Sequence, residues 1–354
     1  MDTLDRWYLE QISRREFLRL AAAGMLAVLF QLKAKAMSAQ AAGGSIQIPR
    51  LGRVLFNNLR LYERPSLKSK VIKTYYKDLI HPITGVTLGD DEPRYNRVWY
   101  HVNEEGYVHS GGMQPVEVRT NTPEHTMPAK HILAEVTVPY TEAFWGASVW
   151  SQVAYRLYYG TSHWVTGISV DKQGKTWYEV LDDKYFSYYY VNAEHLRWIP
   201  VDDISALSAD VSPDAKRIEI RLNDQMLIAY EDDTPVFMTR TATGARFSDG
   251  DFRTRPGRYY CNRKRPSRHM AAGDRAAPKS YDLPGVPWVT YLTESGVAIH
   301  GTYWHNDFGQ PRSHGCINVS SEASAWLYRW SNPTVPTGAF YHEEKTGTPV
   351  DILY

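Results

Sequence analysis

Arg217-Ile218-Glu219-Ile220-Arg221-Leu222 alternates charged and aliphatic residues without a break, Asn223-Asp224-Gln225 turns the chain, and Met226-Leu227-Ile228-Ala229-Tyr230 answers with a second apolar run. Strict alternation has the period of a half-buried strand, and the polar cluster is a turn signal, so this stretch predicts a β-hairpin. The series continues downstream. Val236 to Gly244 reads as a third strand ending at glycine, and Arg258-Tyr259-Tyr260-Cys261-Asn262-Arg263 and Gly296-Val297-Ala298-Ile299-His300 read as two more. Strands at this spacing imply a sandwich-like or barrel-like β core. One helix is expected: Ser320 or Ser321 caps it, Glu322 suits its positive end, and Asn332-Pro333 stops it. Ala323, Trp326, Leu327 and Trp330 recur at helical spacing and read as the face packed on the sheet. The fold class expected is mainly β, with one or two short helices.

Upstream of this block, covering residues 213–354, two further β-rich blocks are expected. Residues 49–120 hold short alternating runs such as Leu59-Arg60-Leu61-Tyr62 and Val98-Trp99-Tyr100-His101-Val102, punctuated by Arg64-Pro65-Ser66 and Gly111-Gly112. Leu61-Tyr62-Glu63-Arg64-Pro65 with Val71-Ile72, and Trp99 to Ser110, resemble a bacterial SH3-like barrel, with Ile80 to Arg97 as a longer insert. Residues 128–208 read as a diverged second copy, because Tyr190-Val191-Asn192-Ala193-Glu194-His195-Leu196 parallels Tyr107-Val108-His109-Ser110-Gly111-Gly112-Met113. The aromatics clustered there would either fill small β cores or stack on sugar rings.

Residues 1–43 read as an address. Ser13-Arg14-Arg15-Glu16-Phe17-Leu18 precedes the apolar run Leu20 to Phe30, and small-residue sites Ala34-Lys35-Ala36 and Ala39-Gln40-Ala41 follow. The apolar run is shorter than the ~20 residues that span a bilayer. The adjacent arginines look like a twin-arginine export signal, which implies a Tat translocon as partner and an extracytoplasmic location. An uncleaved segment retaining the protein at the membrane is the alternative. Lys+Arg 40 against Asp+Glu 39 leaves a net charge of +1, which gives no reason to expect a nucleic-acid partner.

The chain has two cysteines, Cys261 and Cys316, too few for a disulfide framework. Cys316 sits in Ser313-His314-Gly315-Cys316-Ile317-Asn318, and His300 opens His300-Gly301-Thr302 sixteen positions earlier. A free thiol has a pKa of ~8.5, so attack near neutrality needs a base. His300 can be that base, and an adjacent imidazolium would favour the thiolate and lower its pKa. The glycine before the cysteine lets successive backbone N–H groups point one way, toward a developing oxyanion. Cys316 therefore reads as a free, reactive thiol. Zinc held by His300, His305, His314 and Cys316 is the competing reading; the one-residue gap from His314 to Cys316 and the missing second Cys pair argue against it, so neither metal nor cofactor is expected.

These strings, with Thr243-Gly244, Thr254-Arg255-Pro256-Gly257-Arg258-Tyr259 and Ser295 to Thr302, resemble the YkuD-type catalytic domain of the L,D-transpeptidases. Arg255 stands where that family usually carries a small residue. The resemblance implies a cysteine-dependent acyltransferase acting on peptidoglycan stem peptides as donor and acceptor. Cys316 would be the nucleophile, His300 the base and acid, and the Gly301 carbonyl the group that orients the imidazole. His314, Gly315 and Cys316 would offer backbone N–H groups to the oxyanion. Ser313 and His314 would shape the pocket, Asn318 would hold the loop or meet substrate, and Ser295 and Gly296 would run beside the donor. Arg312 could meet a stem carboxylate. His305 and Asp307 would line a groove or pack a connection, and Arg263 to Arg268 reads as a basic patch on a solvated turn. The products expected are cross-links between third-position diamino acids. An L,D-carboxypeptidase and a non-catalytic wall-binding protein are the alternatives, and the SH3-like modules are candidates for holding cell-wall glycan.

Overall fold

The computed structural model describes residues 50–90, 92–248, 250–272 and 281–354; the address segment expected over residues 1–43 lies outside them. The described chain is mainly β, as expected. Among the described residues no helix is long and apolar enough to cross a membrane.

Seven strands, β1 (Leu51–Val54), β2 (Leu59–Tyr62), β3 (Val71–Tyr75), β4 (Ile80–Leu88), β5 (Val98–Val102), β6 (Gly106–His109) and β7 (Met113–Val116), pair in the order β3-β2-β6-β5-β4-β1-β7. Seven more, β8 (Ile132–Val136), β9 (Tyr140–Phe144), β10 (Val153–Tyr158), β11 (Ser162–Val170), β12 (Thr176–Leu181), β13 (Tyr188–Asn192) and β14 (Leu196–Trp198), pair as β10-β9-β13-β12-β11-β8-β14. The two orders are the same topology. A single 3₁₀ turn joins the sixth strand to the seventh in each, Ser110–Gly112 and Ala193–His195. The residue before the turn caps it in both: His109 Nδ1 accepts from Gly111 N–H, and Asn192 Oδ1 from Glu194 N–H, each at 3.3 Å. The run Ile80 to Arg97 is not simply an insert. Its first half is β4, paired with both β1 and β5. Pro82 and the register slip between Ile83 and Gly85 break the alternation by which a strand is read. The aromatics divide: Trp99, Trp177 and Tyr178 are core, whereas Trp150 is 89% exposed and Phe186 78%.

The third unit is an eight-stranded mixed sheet with a two-stranded annex. Its strands are β15 (Lys216–Arg221), β16 (Met226–Glu231), β17 (Thr234–Arg240), β18 (Arg246–Phe247), β19 (Gly250–Asp251), β20 (Gly257–Ala272), β21 (Tyr281–Tyr291), β22 (Ala298–Gly301), β23 (Ile317–Val319) and β24 (His342–Leu353). The main order is β17-β16-β15-β24-β20-β21-β22-β23, with β15–β24 and β22–β23 parallel. Beyond β17 the chain crosses to the far edge, where Ala242 bridges Asn318 and Gly244 bridges Ser313. The sheet thus closes around one core. Ile218 and Ile220 of the alternating hairpin point into it, alongside Ile299, Ile317 and Val319.

The helix α1 (Ser321–Trp330) seals that core with Ala323, Leu327 and Trp330. Ser320 Oγ caps its start by accepting from Ala323 N–H at 3.1 Å. Trp326 stacks on Phe237, centroids 4.2 Å apart. Its last carbonyls, which no helical N–H can reach, take two ammonium groups: Lys216 Nζ donates to Trp330 O at 3.0 Å, and Lys264 Nζ to Tyr328 O at 2.7 Å and Ser331 O at 2.6 Å. This corrects the reading of Arg263 to Arg268 as a solvated turn. The run lies inside β20, Lys264 is fully buried, and burial pulls its pKa down to about 7.

The three units are joined by buried charge. Arg53 is 1% exposed. It donates to Asp78 Oδ1 at 2.9 Å, to Gln114 Oε1 at 2.8 Å and to the Tyr303 carbonyl, and lies over the Tyr158 ring at 4.1 Å. Asp78 Oδ2 accepts in turn from Arg156 at 2.9 Å. One guanidinium thus touches all three units. The second unit also grips β20: its Asp182 lies 2.6 Å from His269, whose other ring nitrogen lies 2.5 Å from Asp282 of β21, and Asp183 accepts from Arg268 at 2.7 Å. Burial opposes charge on His269, but the two carboxylates prevail and hold its pKa above the ordinary value.

Removing one partner of a buried ion pair strands the other. Arg53→Ala is expected to lower the free energy of unfolding by about 3–5 kcal/mol in denaturant titration. A loss below about 1 kcal/mol, the size seen for exposed pairs, would show that the junction is not energetically coupled.

Candidate active site

His300 and Cys316 reach one place because β22 and β23 run side by side. Their parallel register sets Ile299 opposite Ile317 and His300 opposite Asn318. One step back, Cys316 stands beside Ala298, and residues 298 and 300 share a face because side chains alternate along a strand. Sulfur and imidazole are therefore diagonal neighbours on one side of the sheet. Cys316 packs there against the buried cluster of Val286, Val289, Ala298 and Tyr303, as Met270 and Tyr291 do. Its Sγ lies 3.7 Å from the Gly296 carbonyl. Both cysteines are free thiols; Cys261 is buried in the core.

The His300 ring is 3% exposed and its Nδ1 lies 3.0 Å from the Gly301 carbonyl. A carbonyl only accepts, so Nδ1 carries the proton and Nε2 keeps its lone pair. Burial depresses the His300 pKa to about 4, with the Gly301 bond opposing. Burial raises the Cys316 pKa, with the Ala298 N–H opposing. The resting pair is thus thiol and neutral imidazole. The expected imidazolium–thiolate pair is not the resting state, because desolvation penalises both charged forms and no neighbouring charge offsets it.

The cysteine loop is tightly wired. Ser313 Oγ accepts from Gly315 N–H at 3.1 Å and donates to the Cys316 carbonyl at 2.5 Å. The Gly315 amide is therefore engaged inside the loop, and an oxyanion would have to share it. Gly315 has φ of +118°, a conformation open to glycine. Thr254 Oγ1 donates to the Gly315 carbonyl at 2.9 Å and accepts from Gly244 N–H at 2.8 Å. A Cβ on Gly244 would sit 2.1 Å from the Phe252 carbonyl and 2.9 Å from Gly315 Cα, so Thr243-Gly244 and Thr254 are the wall behind the cysteine. Gln225, read only as a turn residue, accepts from Thr243 N–H at 2.8 Å and is buried.

The remaining candidates fall in distinct places. His314 is exposed, its ring 4.8 Å from Phe247 and 4.7 Å from Phe252. Asn318 is buried, its Nδ2 2.9 Å from His305 Nε2, which places it in the loop's support. Ser295 and Gly296 form the turn before β22, not the strand: Gly296 N–H donates to Thr293 O at 3.2 Å, and Gly296 has φ of +102°. Arg312 donates from one terminal nitrogen to Asp307 Oδ2 at 2.5 Å, which ties this exposed guanidinium to the loop. His305 is buried and neutral, its pKa pulled to about 3 mainly by burial. Among the described residues no three His, Cys, Asp or Glu side chains converge as metal ligands do. Phe247, Phe252, Tyr291 and Trp304 belong to the site but carry no sequence signal beyond being aromatic.

No curated protein matches the chain. Among solved structures, an L,D-transpeptidase of Enterococcus faecium, in a point-mutant form, is 22% identical, with 39% of this chain and 50% of that one aligned at a TM-score of 0.30. The Ldtfm–avibactam carbamoyl enzyme is 23% identical over 40% of this chain and 49% of that one, at 0.30. An L,D-transpeptidase from Mycobacterium smegmatis is 18% identical over 52% and 80%, at 0.33. The chain thus spans about half the length of the first two. The part that holds the sulfur, the imidazole and the wall behind them is residues 215–352, which match the model of the YkuD family, the L,D-transpeptidase catalytic domain.

Proposed function

We propose that this protein is a peptidoglycan L,D-transpeptidase that works through a thioester on Cys316. The observation that carries the reading is the shared face of Cys316 and His300, with Nδ1 tied to Gly301 and Nε2 left to take a proton. Nε2 accepts the thiol proton as Sγ attacks the carbonyl carbon of the third stem residue. The tetrahedral oxyanion collapses, the C–N bond breaks, and His300 returns the proton to the departing D-alanine amine. The side-chain amine of a second stem then attacks the thioester, gives a proton to His300, and expels the sulfur, which is reprotonated. The new amide joins two third-position diamino acids.

Neutral partners suit this scheme. Charge appears only after attack, so a buried site need not stabilise an ion pair in the resting enzyme. Acyl transfer to an amine in preference to water needs exclusion of water and placement of the acceptor. The apolar cluster of Val286, Val289, Ala298 and Tyr303, against which Cys316, Met270, Tyr291 and Trp304 all pack, supports that exclusion. We also propose that Ser13 to Leu18 directs export through a Tat translocon, and that the exposed Trp145, Trp150, Phe186 and Tyr188 of the second module meet wall glycan.

Cys316→Ala is expected to abolish turnover and covalent capture, read by intact-protein mass spectrometry; an acyl adduct that persists would remove Cys316 as nucleophile. His300→Ala should slow acylation ~10²–10⁴-fold near neutrality. The pH profile of kcat/KM should hold level across neutrality and fall as pH drops through about 4, where His300 is protonated. The same profile in His300→Ala should instead climb into the alkaline range with the raised Cys316 thiol. A parent profile that already climbs through pH 8–9 would mean that the free thiolate attacks unaided.

Defined tetrapeptide stems incubated with the mature protein should give dimers joined at third positions, resolved by mass spectrometry. Trimmed monomers without dimers would make the enzyme a carboxypeptidase instead.

A further inference from the structure

The loop Thr302–Gly315 joins His300 to Cys316 and contains no helix or ladder strand. Yet Thr302, Tyr303, His305 and Asp307 are all buried. Buried irregular backbone needs hydrogen-bond partners from elsewhere, and an unpaired group costs about 1–3 kcal/mol. Part of that supply comes from the first module. Asn306 Nδ2 donates to the Ser110 and Met113 carbonyls, both at 3.2 Å, and Asn306 N–H donates to the Gly111 carbonyl at 3.3 Å. Arg53 donates to the Tyr303 carbonyl, and Gln310 Nε2 to Tyr95 Oη at 2.9 Å.

A tight approach is at Gly111. A Cβ built there would lie 2.4 Å from Asp307 Oδ1 and 2.9 Å from its Cγ. Gly111 does not have a positive φ, so its own backbone would accept alanine; only the neighbour forbids it. Asp307 holds Arg312 at 2.5 Å and Gln310 at 2.5 Å, and its N–H donates to His305 Nδ1 at 3.3 Å. Arg312 leads directly into Ser313-His314-Gly315-Cys316, while His305 meets Asn318 just beyond the cysteine. A displacement at Gly111 therefore has a short mechanical route to both sides of the nucleophile.

We propose that the first module is a positioning element for acyl transfer, its turn Ser110–Gly112 seating the loop that sets Cys316 against His300, with Gly111, Asn306 and Asp307 as the positioning residues. The proposal rests on the assignment of Cys316 and His300 above. It gives the module a role in the reaction that does not require it to bind the wall.

The test is a double-mutant cycle in the full chain: Gly111→Ala, Asp307→Ala and both together. Gly111→Ala should lower kcat on the order of ten-fold with KM unchanged, as expected for a sub-ångström misplacement, and keep Tm within about 2 °C of the parent. In the Asp307→Ala background the same substitution should cost much less, because the two nearest atoms, Oδ1 and Cγ, are gone and only the Cβ at 3.1 Å remains. Asn306→Ala should repeat the kcat loss without adding bulk, and Asn306→Asp, which keeps size but loses the donor pair, should not rescue it. Equal losses in both backgrounds, or a kcat loss that tracks a fallen Tm, would overturn the proposal. The cycle is also read by the rate of Cys316 alkylation by iodoacetamide, which needs the thiol environment but no stem peptide. If the parent turns over no stem peptide, the proposed activity fails. The alkylation arm then decides the positioning claim: coupled slowing sustains it, and parent-like rates reject it.

Discussion

Two parallel strands cannot be joined by a tight turn, and that constraint governs this molecule's candidate site. β22 ends with His300-Gly301 and β23 begins just after Cys316, in register and side by side. The connection between them must cross over, and it does so as a buried loop without a ladder of its own. The wall of Thr243-Gly244 and Thr254, the Gln225 side chain and the first module's 3₁₀ turn can all be understood as partners for that crossover and for the cysteine loop it feeds. The pairing aligns the reactive groups; the surroundings keep the connection from relaxing.

Electrostatics sort the buried ionisable groups into two kinds. Arg53, Lys216, Lys264 and His269 sit where carboxylates or orphan carbonyls meet them, and they serve docking and helix termination. His300 and Cys316 have no charged partner, and burial pushes the imidazole down and the thiol up. At His269 two carboxylates outweigh desolvation, at Arg53, Lys216 and Lys264 their partners only lessen it, and at the reactive pair nothing but one backbone hydrogen bond to each group opposes it. A neutral pair that becomes charged only during attack follows from this difference.

Much was legible from local pattern. The alternation of Arg217 to Leu222 marked the hairpin, Ser320 and Asn332-Pro333 bounded the helix, and the strings around His109 and Asn192 marked a repeated topology. What misled was also local. Pro82 and Gly85 hid β4, since a bulged strand loses its period. The run Arg263 to Arg268 looked solvated because its charges are dense; the α1 carbonyls and Asp183 that satisfy several of them come from distant segments. Arg312 looked free because Asp307, five residues back, gives no hint of turning toward it.

Residue identity and order alone determined that this chain is mainly β, that a thiol and an imidazole stand sixteen positions apart, and that glycine precedes the thiol, because period, turn chemistry and side-chain type are written locally. Only tertiary structure decided which groups are charged and what holds the loop. Protonation depends on how much water is removed and on which partners remain, and the loop's partners in the first module arrive from 193 to 250 residues away. Neither burial nor a contact across such a separation has a signature in a single stretch of chain.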